Sequence, residues 1–195
     1  MNSLDQTAID QLFLKARTFH GWTSQNIDDE IIRKLYDLMK WAPTCVNGSP
    51  IRILFVKSTV EKEKLVSTVL PKNMEKTLTA PVTAIIAEDL RWYENLPHLM
   101  PHGDYYSHFS GNQALSEKTS FRNSSIQGAY LILAARALGL DCGPMSGFDN
   151  AKLDSLFFAG TSWRSNFLCN LGYGDVESLY PRSPRIPFED ACRIL

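Results

Sequence analysis

The chain has 195 residues, 44% hydrophobic and 21% charged, with 20 Lys+Arg against 21 Asp+Glu and a formal net charge of −1. A single domain over residues 1–195 of this composition buries roughly 70% of its unfolded surface, which excludes a disordered chain, a collagen-like chain and a disulfide miniprotein. The charge balance also argues against a general nucleic-acid binder, because neutralising a phosphate backbone needs a basic excess or a basic face.

Leu4, Ile9, Leu12, Phe13 and Ala16 recur at helical spacing and predict a first amphipathic helix ending near residues 17–21. Asp28 opens a second helix with Ile31, Leu35 and Leu38 on one face and Glu30 four residues before Lys34. It must stop at Trp41–Pro43, since a proline disfavours helical geometry in the residue before it. Residues 44–50 are a polar loop rich in turn formers, and Ile51–Val56 is a short β-rich run. Thr59–Leu70 reads as a helix with Glu61–Lys64 on its wet side, and Pro81–Ala87 as a buried strand. Residues 90–118, with Pro97, Pro101 and three histidines, read as a long functional loop or lid. Thr119–Gly139 is a helix with Ile126, Tyr130, Leu133, Ala134 and Ala137 at helical spacing. Gly143–Gly147 is a tight loop, Asp149 caps a helix through Phe157, and Asn166–Tyr173 is a buried strand. Two helices followed by strands interleaved with helices predict an α+β fold or a mixed three-layer sandwich.

Cys45, Cys142, Cys169 and Cys192 form no CxxC pair, which points to reduced thiols and a cytoplasmic chain. The N-terminal residues carry acids early and lack the basic start of a signal peptide. No apolar run approaches the ~20 residues of a membrane span. There is no phosphate loop, no GxGxxG after a first strand, no GxSxG and no HExxH, so no Rossmann fingerprint holds a nicotinamide. His98, His102 and His108 have a spacing that suits metal ligands on a helix, but Pro97 and Pro101 break such a helix and surface polarity is the plainer expectation. Cys45 has no base near it in sequence and reads as a packing residue. Arg17, Arg182 and Arg185 either converge from opposite ends of the chain on one anion or are each solvated; spacing leaves both open. The glycines of residues 143–147 either let backbone approach a planar ligand or make a tight connection. No catalytic side chain and no metal set is expected.

Six stretches carry a resemblance: KWAPTCVNGSP (40–50), EKTLTAPVTAI (75–85), LPHLMPHGD (96–104), FRNSSIQGAYLILAARALGLDCGPMSGFD (121–149), NLGYGD (170–175) and YPRSPRIPFEDAC (180–192). Over nearly its whole length the chain resembles the nitroreductase family of FMN-dependent oxidoreductases that use NADH or NADPH. Within the family it is similar to the branch that reduces malonic semialdehyde to 3-hydroxypropionate. The resemblance implies a three-layer sandwich with a mixed central sheet flanked by helices, and an interlocked homodimer with FMN sites at the interface. It also implies ping-pong hydride transfer to a small acceptor, with a broad nitroaromatic and quinone reductase or a non-catalytic flavin-holding protein as alternatives, and no nucleic acid or membrane partner. By resemblance, Arg17 and Thr18 contact FMN phosphate and ribityl, and His20 falls where the family often has a basic residue. Pro43, Thr44, Cys45 and Asn47 reach the flavin from the partner subunit, and Asn73 meets its pyrimidine edge. Pro144, Met145, Ser146 and Gly147 form the loop over the N5 side, and Arg185 holds the phosphate. The pattern is broken in three places. Ala16-Arg17-Thr18 stands where the family often has Arg-Arg-Ser, Ser49 stands in place of the Gln of Asn-x-Gln-Pro, and Ser183 in place of a basic residue for which Arg182 substitutes. Residues 97–118, with Tyr105, Tyr106 and Phe109, are a candidate lid, and Arg122 is a candidate for steering an anionic acceptor.

Overall fold

In the computed structural model, which describes residues 2–195, the apolar run after Pro81 becomes the most buried strand of one sheet. The strands are β1 (Ile51–Val56), β2 (Val82–Asp89), β3 (Asp141–Met145) and β4 (Trp163–Gly172), in the order β1-β2-β4-β3. Every residue of β2 is buried. Val82, Ala84 and Ile86 enter one core cluster and Ile85 and Ala87 the other, so the strand is covered on both faces and shows no polar alternation.

The helices are α1 (Gln6–Ile9, continued by a π-helical turn Asp10–Leu14), α2 (Asp29–Met39), α3 (Thr59–Val66), α4 (Pro71–Thr79), α5 (Leu96–Leu99), α6 (Tyr105–Ser110), α7 (Gln113–Ala137), α8 (Asn150–Phe157) and α9 (Phe188–Ala191). Leu35 and Met39 of α2 and Leu131, Ala134 and Ala135 of α7 cover one face of the sheet; Leu65 of α3 and Leu153 of α8 cover the other. The α+β class and the three layers match the expectation. The sheet differs from it in being antiparallel at all three strand pairs rather than mixed. Two helices, α3 and α4, separate β1 from β2, so the chain re-enters the sheet reversed; a single crossover helix would have made the pair parallel. A parallel pairing occurs at the isolated bridge Thr18–Cys142.

Three local expectations are corrected. Residues 90–118 are largely helical. Pro97 sits in the first turn of α5, where a missing N–H costs nothing, and Trp92, Leu96 and Phe109 bury themselves in a satellite core of their own. The expected loop at residues 143–147 is β3 as far as Met145, and Pro144 is tolerated because β3 is an edge strand. On α7 the apolar residues picked out by spacing do not all face the core. Ile126, Tyr130 and Ala137 are exposed, while Ser116, Thr119, Ser120, Asn123, Ser124 and Gln127 are buried. The buried polar groups have work there: Gln127 Oε1 accepts the N–H of Ile51 at 3.1 Å, and Ser120 Oγ donates to the carbonyl of Asp89 at 3.0 Å. Asp28 occupies the N-cap of α2 without a side-chain capping bond, whereas Asp149 accepts from the N–H of Lys152 as expected.

Candidate functional site

The two ends of the chain meet. The segment before β1 passes beside β3 through Thr18, and the Phe19 N–H donates to the carbonyl of Cys142 at 3.1 Å. The C-terminal tail lies against the same segment. Arg17 donates to the carbonyl of Tyr180, Arg182 donates to the carbonyl of Ala16 at 2.8 Å, and the rings of His20 and Tyr180 stand 5.7 Å apart.

Around this junction is a cavity of about 570 Å³ lined by Arg17, Thr18, His20, Arg136, Tyr180, Arg182, Ser183 and Arg185. No Asp or Glu lines it, and none of its four arginines forms an ion pair among the described residues. The guanidinium groups rest on backbone carbonyls instead, Arg136 on Leu12 at 2.9 Å and Arg185 on Ser183 at 3.0 Å. Among the described residues the buried Nε of Arg136 has no partner. Four cations without counter-charge form a site for a multiply charged anion such as a phosphate.

His20 and Tyr180 are also the shared wall of a larger cavity, about 910 Å³, whose lining includes Trp22, Asn73, Met145, Ser146 and Gly147 together with two cations, Lys72 and Lys76, and two carboxylates, Glu75 and Asp175. Its floor is fixed by α4. Asn73, 3% exposed, donates through Nδ2 to the carbonyl of Gly147 at 2.8 Å, and Leu70 N–H donates to the same oxygen at 3.0 Å. A Cβ on Gly147 would lie 2.6 Å from Asn73 Nδ2, so only glycine permits this approach. Lys72 and Lys76 follow one another at helical i,i+4 spacing. Burial, then the Lys72 charge, holds the Lys76 ammonium below its ordinary pKa. Burial, then Lys76, lowers His20 in the same way.

Of the residues expected at a ligand site, Arg17, Thr18, His20, Arg182 and Arg185 therefore come together, and Asn73, Met145, Ser146 and Gly147 line the adjoining cavity. Pro144 lies inside β3 opposite Cys169 and lines neither. Arg136, Lys72, Lys76, Trp22 and Tyr180 were missed. Lys72 and Lys76 did leave a signal, because like charges at i,i+4 destabilise a helix unless something anionic faces them.

Pro43, Thr44, Cys45 and Asn47 form a separate group and line neither cavity. Their loop carries three non-glycine residues in the left-handed region, Val46 at φ 47°, Asn47 at 54° and Ser49 at 42°. Each such residue stores on the order of 1–3 kcal/mol and persists only where its surroundings hold it. Arg122 is exposed on α7, also outside both cavities. His98, His102 and His108 do not combine with other residues: among the described residues no group of three His, Cys, Asp or Glu is placed to hold a metal ion. No described helix is long and apolar enough to cross a membrane.

A family model described as the nitroreductase family matches residues 16–173. A provisionally named NADH dehydrogenase/NAD(P)H nitroreductase of Burkholderia lata is 57% identical over 194 residues, covering 100% of both chains. A relative of the same name from Polynucleobacter asymbioticus is 57% identical over 192 residues and 98% of each chain. Among solved structures, a provisionally assigned nitroreductase of Bacillus subtilis shares the fold with a TM-score of 0.87 at 19% identity, over 98% of this chain and 100% of that one. One from Exiguobacterium sibiricum, solved in complex with FMN, has a TM-score of 0.84 at 20% identity, over 100% of this chain and 99% of its own.

Proposed function

The chain belongs to the nitroreductase family, and from that premise we propose that it is a single-domain FMN oxidoreductase that draws hydride from NADH or NADPH and reduces malonic semialdehyde to 3-hydroxypropionate. The observation that carries the reading is the pair of adjoining cavities, one holding four arginines and no carboxylate, the other Asn73 and the close-packed Ser146–Gly147 backbone.

The residues present fit FMN. Arg17, Arg182, Arg185 and the unpartnered Nε of Arg136 offer the charge-assisted donors that a phosphate dianion takes. His20 and Tyr180 border both cavities, as a planar ligand with a phosphate tail requires. When bound, FMN supplies hydride acceptance from the nicotinamide and hydride donation to the acceptor. The chain supplies the rest. Lys72 and Lys76 bring two ammonium groups to the larger cavity, neither in an ion pair among the described residues, beside the carboxylates of Glu75 and Asp175. Either ammonium group can pair with an acceptor that carries a carboxylate beside its aldehyde.

The reading includes a homodimer. Pro43, Thr44, Cys45 and Asn47 line neither cavity of their own chain, and we assign them to the flavin of a partner subunit. Exposed apolar side chains support this: Phe13 and Leu14 after α1, Leu38 and Trp41 at the end of α2, and Phe121, Ile126 and Tyr130 along α7. Large apolar side chains left exposed on several elements suit an interaction surface. The four free thiols support a reducing, cytoplasmic location.

The test is a steady-state comparison of malonic semialdehyde, a nitroaromatic and a quinone with both nicotinamides. The expected result is yellow protein bleached by NADH or NADPH, reoxidised fastest by the semialdehyde, with ping-pong kinetics. A faster nitroaromatic or quinone would make it a broad reductase. Yellow protein that no nicotinamide bleaches would make it a flavin-holding protein. Protein that stays colourless after FMN addition would end the reading.

A further inference from the structure

Between β2 and the middle of α7 the chain builds a small aromatic core whose contacts lead to one place. Trp92, 1% exposed, packs on Phe109 with ring centroids 4.6 Å apart and anchors its Nε1–H on Ser116 Oγ at 3.1 Å. The far edge of its ring occupies the space beside Gly48. A Cβ there would lie 2.3 Å from Cζ3 and 2.5 Å from Cε3. The φ of Gly48 is −73°, which any residue adopts, so the glycine is required by the tryptophan rather than by the backbone. Val46 packs into the same cluster. Asn123, 5% exposed, accepts the Cys45 N–H on Oδ1 at 2.8 Å while its Nδ2 donates to the carbonyl of Thr119 at 2.7 Å, which fixes the amide. Asn47 Nδ2 donates to the carbonyl of Leu99 at 2.9 Å. The left-handed run Val46, Asn47 and Ser49 is thus held largely from residues 92–123, with Thr44 Oγ1 accepting the Ser49 N–H inside the loop.

We propose that Trp92 and Asn123 are positioning residues for the flavin contacts of the Pro43–Asn47 loop, so that the segment read from sequence as a lid acts as the rigid buttress of that loop. This rests on the reading that the loop meets FMN across a dimer interface. It assigns to two buried residues, remote from both cavities of their own chain, control over how the partner's flavin is seated.

Gly48→Ala drives a methyl group into the Trp92 ring and displaces the loop without deleting any of its polar side chains. FMN dissociation constants and the visible circular dichroism of the bound flavin are measured for the full-length protein, Gly48→Ala, Gly48→Ala/Trp92→Phe and Asn123→Ala. Gly48→Ala and Asn123→Ala are expected to weaken FMN binding about ten-fold and to change the flavin dichroism, because a displaced contact loses a large part of its worth. Trimming the ring in Gly48→Ala/Trp92→Phe is expected to restore most of both signals, which a general loss of stability would not do. Parent-like binding and dichroism in Gly48→Ala overturns the proposal, as does a loss that Trp92→Phe fails to restore. Should Gly48→Ala not fold, Asn123→Ala decides on the same two readouts. Cys45→Phe, which adds bulk on an exposed side chain of the loop, separates the two readings. Parent-like FMN binding in that variant defeats the assignment of the loop to the flavin. Weakened binding there, with Gly48→Ala and Asn123→Ala parent-like, defeats only the positioning roles.

Discussion

The arginine cavity is assembled from the two ends of the chain, residues 16–20 and 180–185, with Arg136 joining from the end of α7. The Pro43–Ser49 loop is held instead by one stretch, residues 92–123. The cavity has charge without strain: its exposed guanidinium groups rest on carbonyls that an incoming phosphate replaces. The loop has strain without charge: its left-handed residues are held by buried groups whose hydrogen bonds are already made. A site organised by its ligand and a site organised in advance therefore sit on the same short chain. The first tolerates rearrangement until the anion arrives; the second must be right beforehand.

The largest expected effect concerns which chain each region serves. Mixed dimers carrying two different tags pair one chain bearing Arg185→Ala with one bearing Cys45→Phe. If the cavity acts in its own chain and the loop in its partner, one site stays intact and about half the parent activity survives, since activity is a property of the single site that retains both contacts. Placing both changes on one chain beside a parent chain damages both sites, and activity is lost. The reverse pattern, half activity for the double-change chain and none for the split pair, would show that the loop serves its own flavin.

Arg185→Ala alone comes next. Loss of one charge-assisted phosphate contact costs about 1.5–3 kcal/mol, or roughly ten- to a hundred-fold in FMN affinity by equilibrium titration. Unchanged affinity would mean the tail does not reach the phosphate.

A smaller effect is expected beneath the larger cavity. Lys62, expected on the wet side of its helix, is instead 3% exposed and donates to the carbonyls of Thr77 and Ala80 at the end of α4, the helix that carries Asn73 and Lys76. Burial lowers its pKa from 10.5 to about 8. Between these values the unfolded chain binds the proton that the folded chain has released, so stability rises with pH across the window, and it falls as pH drops from 10.5 to about 8 and levels off below. Thermal midpoints of the parent should climb from pH 8 towards pH 10.5, and Lys62→Met should flatten that climb. An identical slope in the variant would show that another group is responsible.

The smallest effect belongs to a residue outside both regions. Arg122→Ala should change FMN affinity by less than about two-fold, as for an exposed charge with no ligand contact. A larger loss would add Arg122 to the loop's side of the comparison.

The arginines near both termini were visible as isolated cations in the sequence, and β1, β2 and β4 as β-rich or apolar runs. Arg136 was not, because at the end of an apolar helix it looks like any last-turn cation until Leu12 and the tail close around it. Nor was the buttress. Prolines and histidines at residues 97–108 look like loop chemistry, and only packing of Trp92 on Phe109 makes that segment helical and buried.

By itself the sequence determined the local elements: the cap at Asp149, the stop before Pro43 and the buried strand expected at 81–87. Tertiary structure alone decided which face of α7 is inside, that every strand pair runs antiparallel, and that residues 16–20 meet residues 180–185. The physical reason is range. Propensity and periodicity act within a turn or a few residues, whereas Ser120, Asn123 and Gln127 are buried because distant backbone groups at Asp89, Cys45 and Ile51 need partners. That need exists only once the chain has brought them together.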